Sequence, residues 1–149
     1  MSVSPDFDAF AKAYESGRPQ AVWTTFVADL ETPVSTMLKL AESRANSFLL
    51  ESVEGGAVRG RYSVIGLKPD LIWRCFGARA EINESARYDP DAFVECPDNA
   101  LDSMRALIRD SHIELPENLP PMAAGLVGYI GYDMVRQMER LPDPNPDTL

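Results

Sequence analysis

Glu51 and Ser52 close the apolar run Phe48-Leu49-Leu50. Arg59 and Arg61 open the next run, across the glycine-bearing link Glu54-Gly55-Gly56. A carboxylate accepts from an ammonium group and a guanidinium forks onto a carboxylate, so this corner has the parts to hold a zwitterion. A plainer reading uses the same residues. Charged and hydroxyl side chains are common beside turns, alternation can turn Glu51 to solvent, and two arginines at alternate positions can guard a strand edge. Gly55-Gly56 likewise reads as an anion nest of backbone amides or as a simple hairpin loop. Residue chemistry by itself leaves both readings open.

Elsewhere the chain offers little that resembles a catalytic centre. His112 is the only histidine and has neither a nucleophile pattern nor metal-ligand spacing around it. There is no HExxH, P-loop, nucleophile elbow or paired-cysteine zinc motif. Ala124-Gly125-Leu126-Val127-Gly128-Tyr129-Ile130-Gly131-Tyr132 spaces its glycines three apart but is not GxGxxG, and it reads as a strand whose glycines admit a close neighbour.

The elements that must position the corner follow from local pattern. The run from Phe48, with Glu51 and Ser52 at its end, and the run from Arg59 to Gly66 read as two strands of a hairpin, since a Phe/Leu run stops at Glu54-Gly55-Gly56 and a Tyr/Val/Ile run follows. Upstream, Ser4-Pro5 predicts a helix start with Ser as cap, and Phe7, Phe10, Ala11 and Tyr14 recur at helical spacing as far as Gly17. Residues 21–28 are dense in β-branched and aromatic types and predict a strand. Thr32-Pro33 repeats the cap-plus-proline start, with Val34, Met37, Leu38 and Ala41 on one face of a second helix.

Downstream, Leu71–Phe76 and Ala78–Asn83 predict a strand pair about Gly77, with Ala80 and Ile82 inward and Arg79, Glu81 and Asn83 on a wet face. An antiparallel meander is the simplest arrangement. Residues 85–98, broken by Pro90 and Pro97, read as loop. Asn99 with Asp102 predicts a helix start, and Leu101, Met104, Leu107 and Ile108 its buried stripe. Residues 115–121 are a proline-stiffened connector, and residues 133–140 predict a short helix with Met134, Val135 and Met138 inward. The expected fold class is α+β, a mostly antiparallel sheet with helices packed against it. Residues 1–141 are expected to form one domain, and the Pro-rich 142–149 to begin a linker.

Bulk properties narrow the setting. The 149 residues are 45% hydrophobic and 25% charged, ordinary for a globular chain able to bury roughly two-thirds of its unfolded surface. A net charge of -9 argues against nucleic acid or anionic membrane as a partner. Cys75 and Cys96 form no CxxC pair and read as free thiols, Cys75 as a small core residue. The first twenty residues, with Asp6, Asp8 and Glu15, do not read as a secretory signal. No apolar run reaches the roughly 20 residues needed to cross a bilayer, so a soluble, cytoplasmic setting is expected.

Four segments in order carry a resemblance: Asp29-Leu30-Glu31-Thr32-Pro33-Val34-Ser35, Leu49-Leu50-Glu51-Ser52-Val53-Glu54-Gly55-Gly56, Arg59-Gly60-Arg61-Tyr62-Ser63-Val64-Ile65-Gly66-Leu67-Lys68-Pro69, and Gly125-Leu126-Val127-Gly128-Tyr129-Ile130-Gly131-Tyr132-Asp133. Together they resemble the amino-terminal region of the large subunit of anthranilate synthase. The resemblance implies a layered fold shared with a following domain. It also implies an enzyme, in full length, that converts chorismate and ammonia to anthranilate and pyruvate in tryptophan biosynthesis. A glutamine amidotransferase partner delivers the ammonia.

The resemblance further implies feedback inhibition by L-tryptophan, with Glu51 and Ser52 as effector contacts, Leu50 flanking them and Arg61 near a basic position of the family. It implies that chorismate and magnesium belong to a carboxy-terminal catalytic domain that this sequence does not contain. No catalytic residue, cofactor or metal ligand is therefore expected here, and the chain alone is expected to be inactive, with part of an effector site and a tendency to self-associate. Two other readings stand beside it. One is the related chorismate-aminating subunit of p-aminobenzoate synthesis, whose motifs match less well; the other is a stand-alone amino-acid-binding or interaction module.

Overall fold

The structure is a computed structural model and describes residues 2–51, 62–120 and 122–142. It divides into two compact units, Met1–Pro69 with Ile113–Gly125 and Asp70–His112 with Leu126–Leu149. The elements are helices and antiparallel strands, as the α+β expectation requires.

In the first unit, helix α1 spans Phe7–Glu15. Its cap is Asp6, whose carboxylate accepts from the Ala9 N–H at 2.8 Å. Ser4 instead exchanges backbone hydrogen bonds of 2.8 Å with Trp23, so the expected cap belongs to an isolated bridge. That bridge is all that forms of the strand expected over 21–28. β-branched content supplies propensity, but a strand needs a partner to continue its ladder. Gly17, in the left-handed region at φ +68, ends the helix.

Helix α2 covers Pro33–Ala41 and starts as expected. Thr32 Oγ1 accepts from Ser35 N–H at 3.0 Å, and Ser35 Oγ accepts from Thr32 N–H at 2.9 Å, a reciprocal cap. The helix packs against β1, Phe48–Glu51, and β2, Ser63–Gly66. These strands pair antiparallel, Phe48 opposite Gly66 through Glu51 opposite Ser63. The predicted hairpin is confirmed on its flanks, while its link lies outside the described residues.

The second unit holds a separate three-stranded sheet in the order β3 (Ile72–Phe76), β4 (Arg79–Asn83), β5 (Val94–Glu95). Two sheets therefore replace the single meander. β5 lies in the stretch expected to be loop, where two residues find the free edge of β4, Glu95 opposite Glu81 and Val94 opposite Ile82. In-register pairing puts Trp73, Ile82 and Val94 on one face, and Arg74, Glu81 and Glu95 on the other. Helix α3, Ala100–Asp110, packs on β4. Asn99 caps it by accepting from Asp102 N–H at 3.0 Å.

Several burial expectations change. Asn83, read as wet, is fully buried and hydrogen-bonded to the Asp89 carbonyl and the Ser85 N–H, both at 2.8 Å. The buried residues of α3 are Ala100 and Ser103, whereas Ile108 is exposed. Cys75 is half-buried, and both cysteines are free thiols. Residues 126–131 form no strand, and the short helix beyond them is a 3-10 helix over Tyr132–Gln137 with Met138 exposed. Among the described residues the buried hydrophobic side chains are three alanines, Ala41, Ala80 and Ala100, so the large core expected from length is not formed. A two-stranded and a three-stranded sheet, each with one helix packed on it, leave many of the larger apolar side chains exposed and others half-covered.

Candidate functional site

Strand β1 sets Leu50 and Glu51 at its end. Phe48 and Leu49 are half-buried, while Leu50 and Glu51 are both exposed, so the strand leaves cover as it approaches the corner. Phe48 lies beside Gly66, and a Cβ at Gly66 would collide with three atoms of the Phe48 ring, so the ring occupies the space a side chain would fill. This pairing anchors the far end of the strand and puts Glu51 directly opposite Ser63.

Side chains of directly opposed residues share a face with their Cβ atoms about 4.5–5.5 Å apart. Glu51 and Ser63 therefore place a carboxylate and a hydroxyl side by side, both exposed to solvent. Sequence pattern does not single out Ser63, and the register is the signal that finds it. Among the described residues the Glu51 carboxylate has no hydrogen-bond or ion-pair partner, so it is open to an ammonium group or another donor. Ser52 and Arg61, the other two candidates, lie outside the described residues, as do Gly55, Gly56 and Arg59.

The Asp29–Ser35 segment enters the same unit at the start of α2. There the Glu31 carboxylate accepts from the Lys39 ammonium and from Ser35 Oγ at 2.8 Å. These hydrogen bonds, Lys39 first and then Ser35, hold the Glu31 carboxyl below its usual range. Glu31 is thus engaged in the helix start, in contrast to Glu51. Among the described residues no group of three or more His, Cys, Asp or Glu side chains is placed to hold a metal ion. No described helix is long and apolar enough to cross a membrane.

Comparison with known proteins places the chain in a family. It is 54% identical over 143 residues to anthranilate synthase component 1 of Cereibacter sphaeroides, covering 96% of this chain and 29% of that protein. It is 38% identical over 155 residues to anthranilate synthase component 1 of Synechocystis, covering 97% and 28%. The protein of that name from Thermus thermophilus is 42% identical over 127 residues, covering 84% and 25%. No family model matches the chain, and no solved structure matches it. The chain therefore spans less than a third of the length of these relatives. Identity of 54% across 96% of its residues, with the same name on the other relatives, assigns the chain to the anthranilate synthase component 1 family, as the amino-terminal region of the large subunit.

Proposed function

We propose that this chain is the feedback-regulatory portion of an anthranilate synthase large subunit, and that Glu51, Ser52 and Ser63, flanked by Leu50, form the polar wall of an L-tryptophan site. In the whole protein the reaction converts chorismate and ammonia, supplied from glutamine by an amidotransferase partner, to anthranilate and pyruvate. Magnesium and chorismate belong to the remainder of the large subunit, and this chain by itself makes no anthranilate. The observation that carries the reading is the Leu50-Glu51 pair, exposed at the end of β1 within the Leu-Leu-Glu-Ser motif.

The chemistry required is simple. A free amino acid needs an acceptor for its ammonium group, donors for its carboxylate and an apolar slot for its side chain. The open Glu51 carboxylate provides the first, and the hydroxyls of Ser52 and Ser63 with the Arg61 guanidinium provide the second. Leu50 flanks Glu51 along the strand. The names of the relatives favour the anthranilate branch over p-aminobenzoate synthesis.

The test uses the whole large subunit with its amidotransferase, following anthranilate fluorescence as L-tryptophan is added. Glu51→Ala is expected to leave the uninhibited rate intact and raise the tryptophan needed for half-inhibition by roughly tenfold or more, the loss of one charge-assisted contact. Unchanged inhibition by tryptophan in the variant overturns the assignment of Glu51. A p-aminobenzoate precursor as product overturns the branch.

A further inference from the structure

The second unit contains a groove between the inner face of its sheet and helix α3. It measures about 410 Å³, and every residue lining it lies between Leu71 and Ser111. We propose that this groove binds a small organic monocation, an amine or guanidinium carried on an aromatic or aliphatic body.

Two features select that chemistry. The walls include apolar side chains, Trp73 and Ile82 from β3 and β4 and Leu107 from α3, all half-buried and so in part accessible. The rim is acidic, with Glu84, Asp98 and Asp110, and no lysine, arginine or histidine lines the groove. Asp110 is paired with Arg109 at 3.0 Å. Glu84 and Asp98 make no hydrogen bond or ion pair among the described residues. Donors are scarce by comparison. The Trp73 indole N–H is given to Ser103 Oγ at 3.1 Å, and the Ser103 hydroxyl donates to the Ala100 carbonyl at 3.1 Å. The groove thus offers acceptors and an aromatic wall, the environment in which a cation gains from both carboxylate and ring. The chain's net charge of -9 raises the local concentration of cations and repels anions.

Size selects the kind of occupant. Clefts of roughly 300–1,000 Å³ take single small molecules, whereas a polypeptide partner covers a surface of many residues. The groove is at the small end of that range. It belongs to a different unit from Glu51, and the proposal does not rest on the tryptophan reading of that site.

The test exploits Trp73. Trp23 is the only other tryptophan, so Trp23→Phe leaves Trp73 as the sole indole reporter. Phenethylamine titrated into this variant is expected to change the Trp73 fluorescence saturably, with an affinity that weakens as salt is added. Phenylacetate, of similar body and opposite charge, is expected to give no saturable change. Glu84→Gln with Asp98→Asn should weaken phenethylamine binding by roughly tenfold or more, and Asp98→Asn alone by less. Both positions are exposed, so the variants keep the fold, checked by circular dichroism. Equal binding of phenylacetate, an unchanged affinity in the double variant, or no saturable response to phenethylamine each overturns the proposal.

Discussion

Asn83 donates its side-chain amide to the Asp89 carbonyl at 2.8 Å from a position with no solvent exposure, and its own carbonyl oxygen accepts from the Ser85 N–H. One side chain at the end of β4 thereby satisfies two backbone groups of the loop that leads to β5. Asn83→Ala removes both partners at once. Leaving a buried polar group unsatisfied costs about 1–3 kcal/mol, so a loss of at least that order is expected in urea denaturation. Amide exchange should also quicken over residues 85–95. A loss below about 0.5 kcal/mol would show that water replaces the side chain there without penalty.

Phe48 and Gly66 predict a coupling. A Cβ at residue 66 meets the Phe48 ring, and that ring is the end of a side chain able to swing away at the expense of its packing. Gly66→Ala is expected to destabilise the β1–β2 pair by about 1–3 kcal/mol, the range for overpacking. In a Phe48→Ala background the same substitution should cost much less, because the space is vacant. A double-mutant cycle measures the difference, and additivity within about 0.5 kcal/mol would contradict the close approach.

Acid should loosen the start of α3. The Asp102 carboxyl is held below its usual range first by the hydrogen bond from the Asn99 amide, 2.7 Å, and then by that from Arg105, 2.9 Å. Because the folded-state value is the depressed one, the contribution is present above the unfolded carboxyl range, about pH 4. It is lost as pH falls through the folded value. Helical circular dichroism between pH 5 and pH 2 should therefore decline more shallowly in Asp102→Asn than in the parent chain. Superimposable acid titrations of the two proteins would refute this.

The run from Leu126 to Tyr132 predicts self-association. Leu126, Val127, Tyr129, Ile130 and Tyr132 are all exposed, and the stretch carries no charged residue to discourage contact. Covering a large apolar side chain is worth about 1.5–3 kcal/mol, so few need to be buried for copies to associate at working concentration. Light scattering of the 149-residue chain is expected to give a mass that rises with concentration. Tyr129→Asp with Ile130→Lys should lower it, and a constant monomer mass in the parent chain would oppose the prediction.

Local chemistry by itself determined the starts of α2 and α3 and the tightest turn. Thr32-Pro33, Asn99 with Asp102, and Gly77 between alternating strands each act through neighbours within a few residues, and each is found where the sequence put it. The pairing of β1 with β2 was equally legible, because a glycine-bearing link between two apolar runs announces a hairpin.

Tertiary structure decided what depends on a distant partner. Residues 21–28 and 126–131 have strand composition but meet no continuous edge, whereas Val94 and Glu95 pair because β4 offers one. The placement of Ser63 beside Glu51 and the burial of Asn83 likewise follow from register and loop closure. Alternation assigns a face to each residue, but only the packed neighbours decide whether that face is wet.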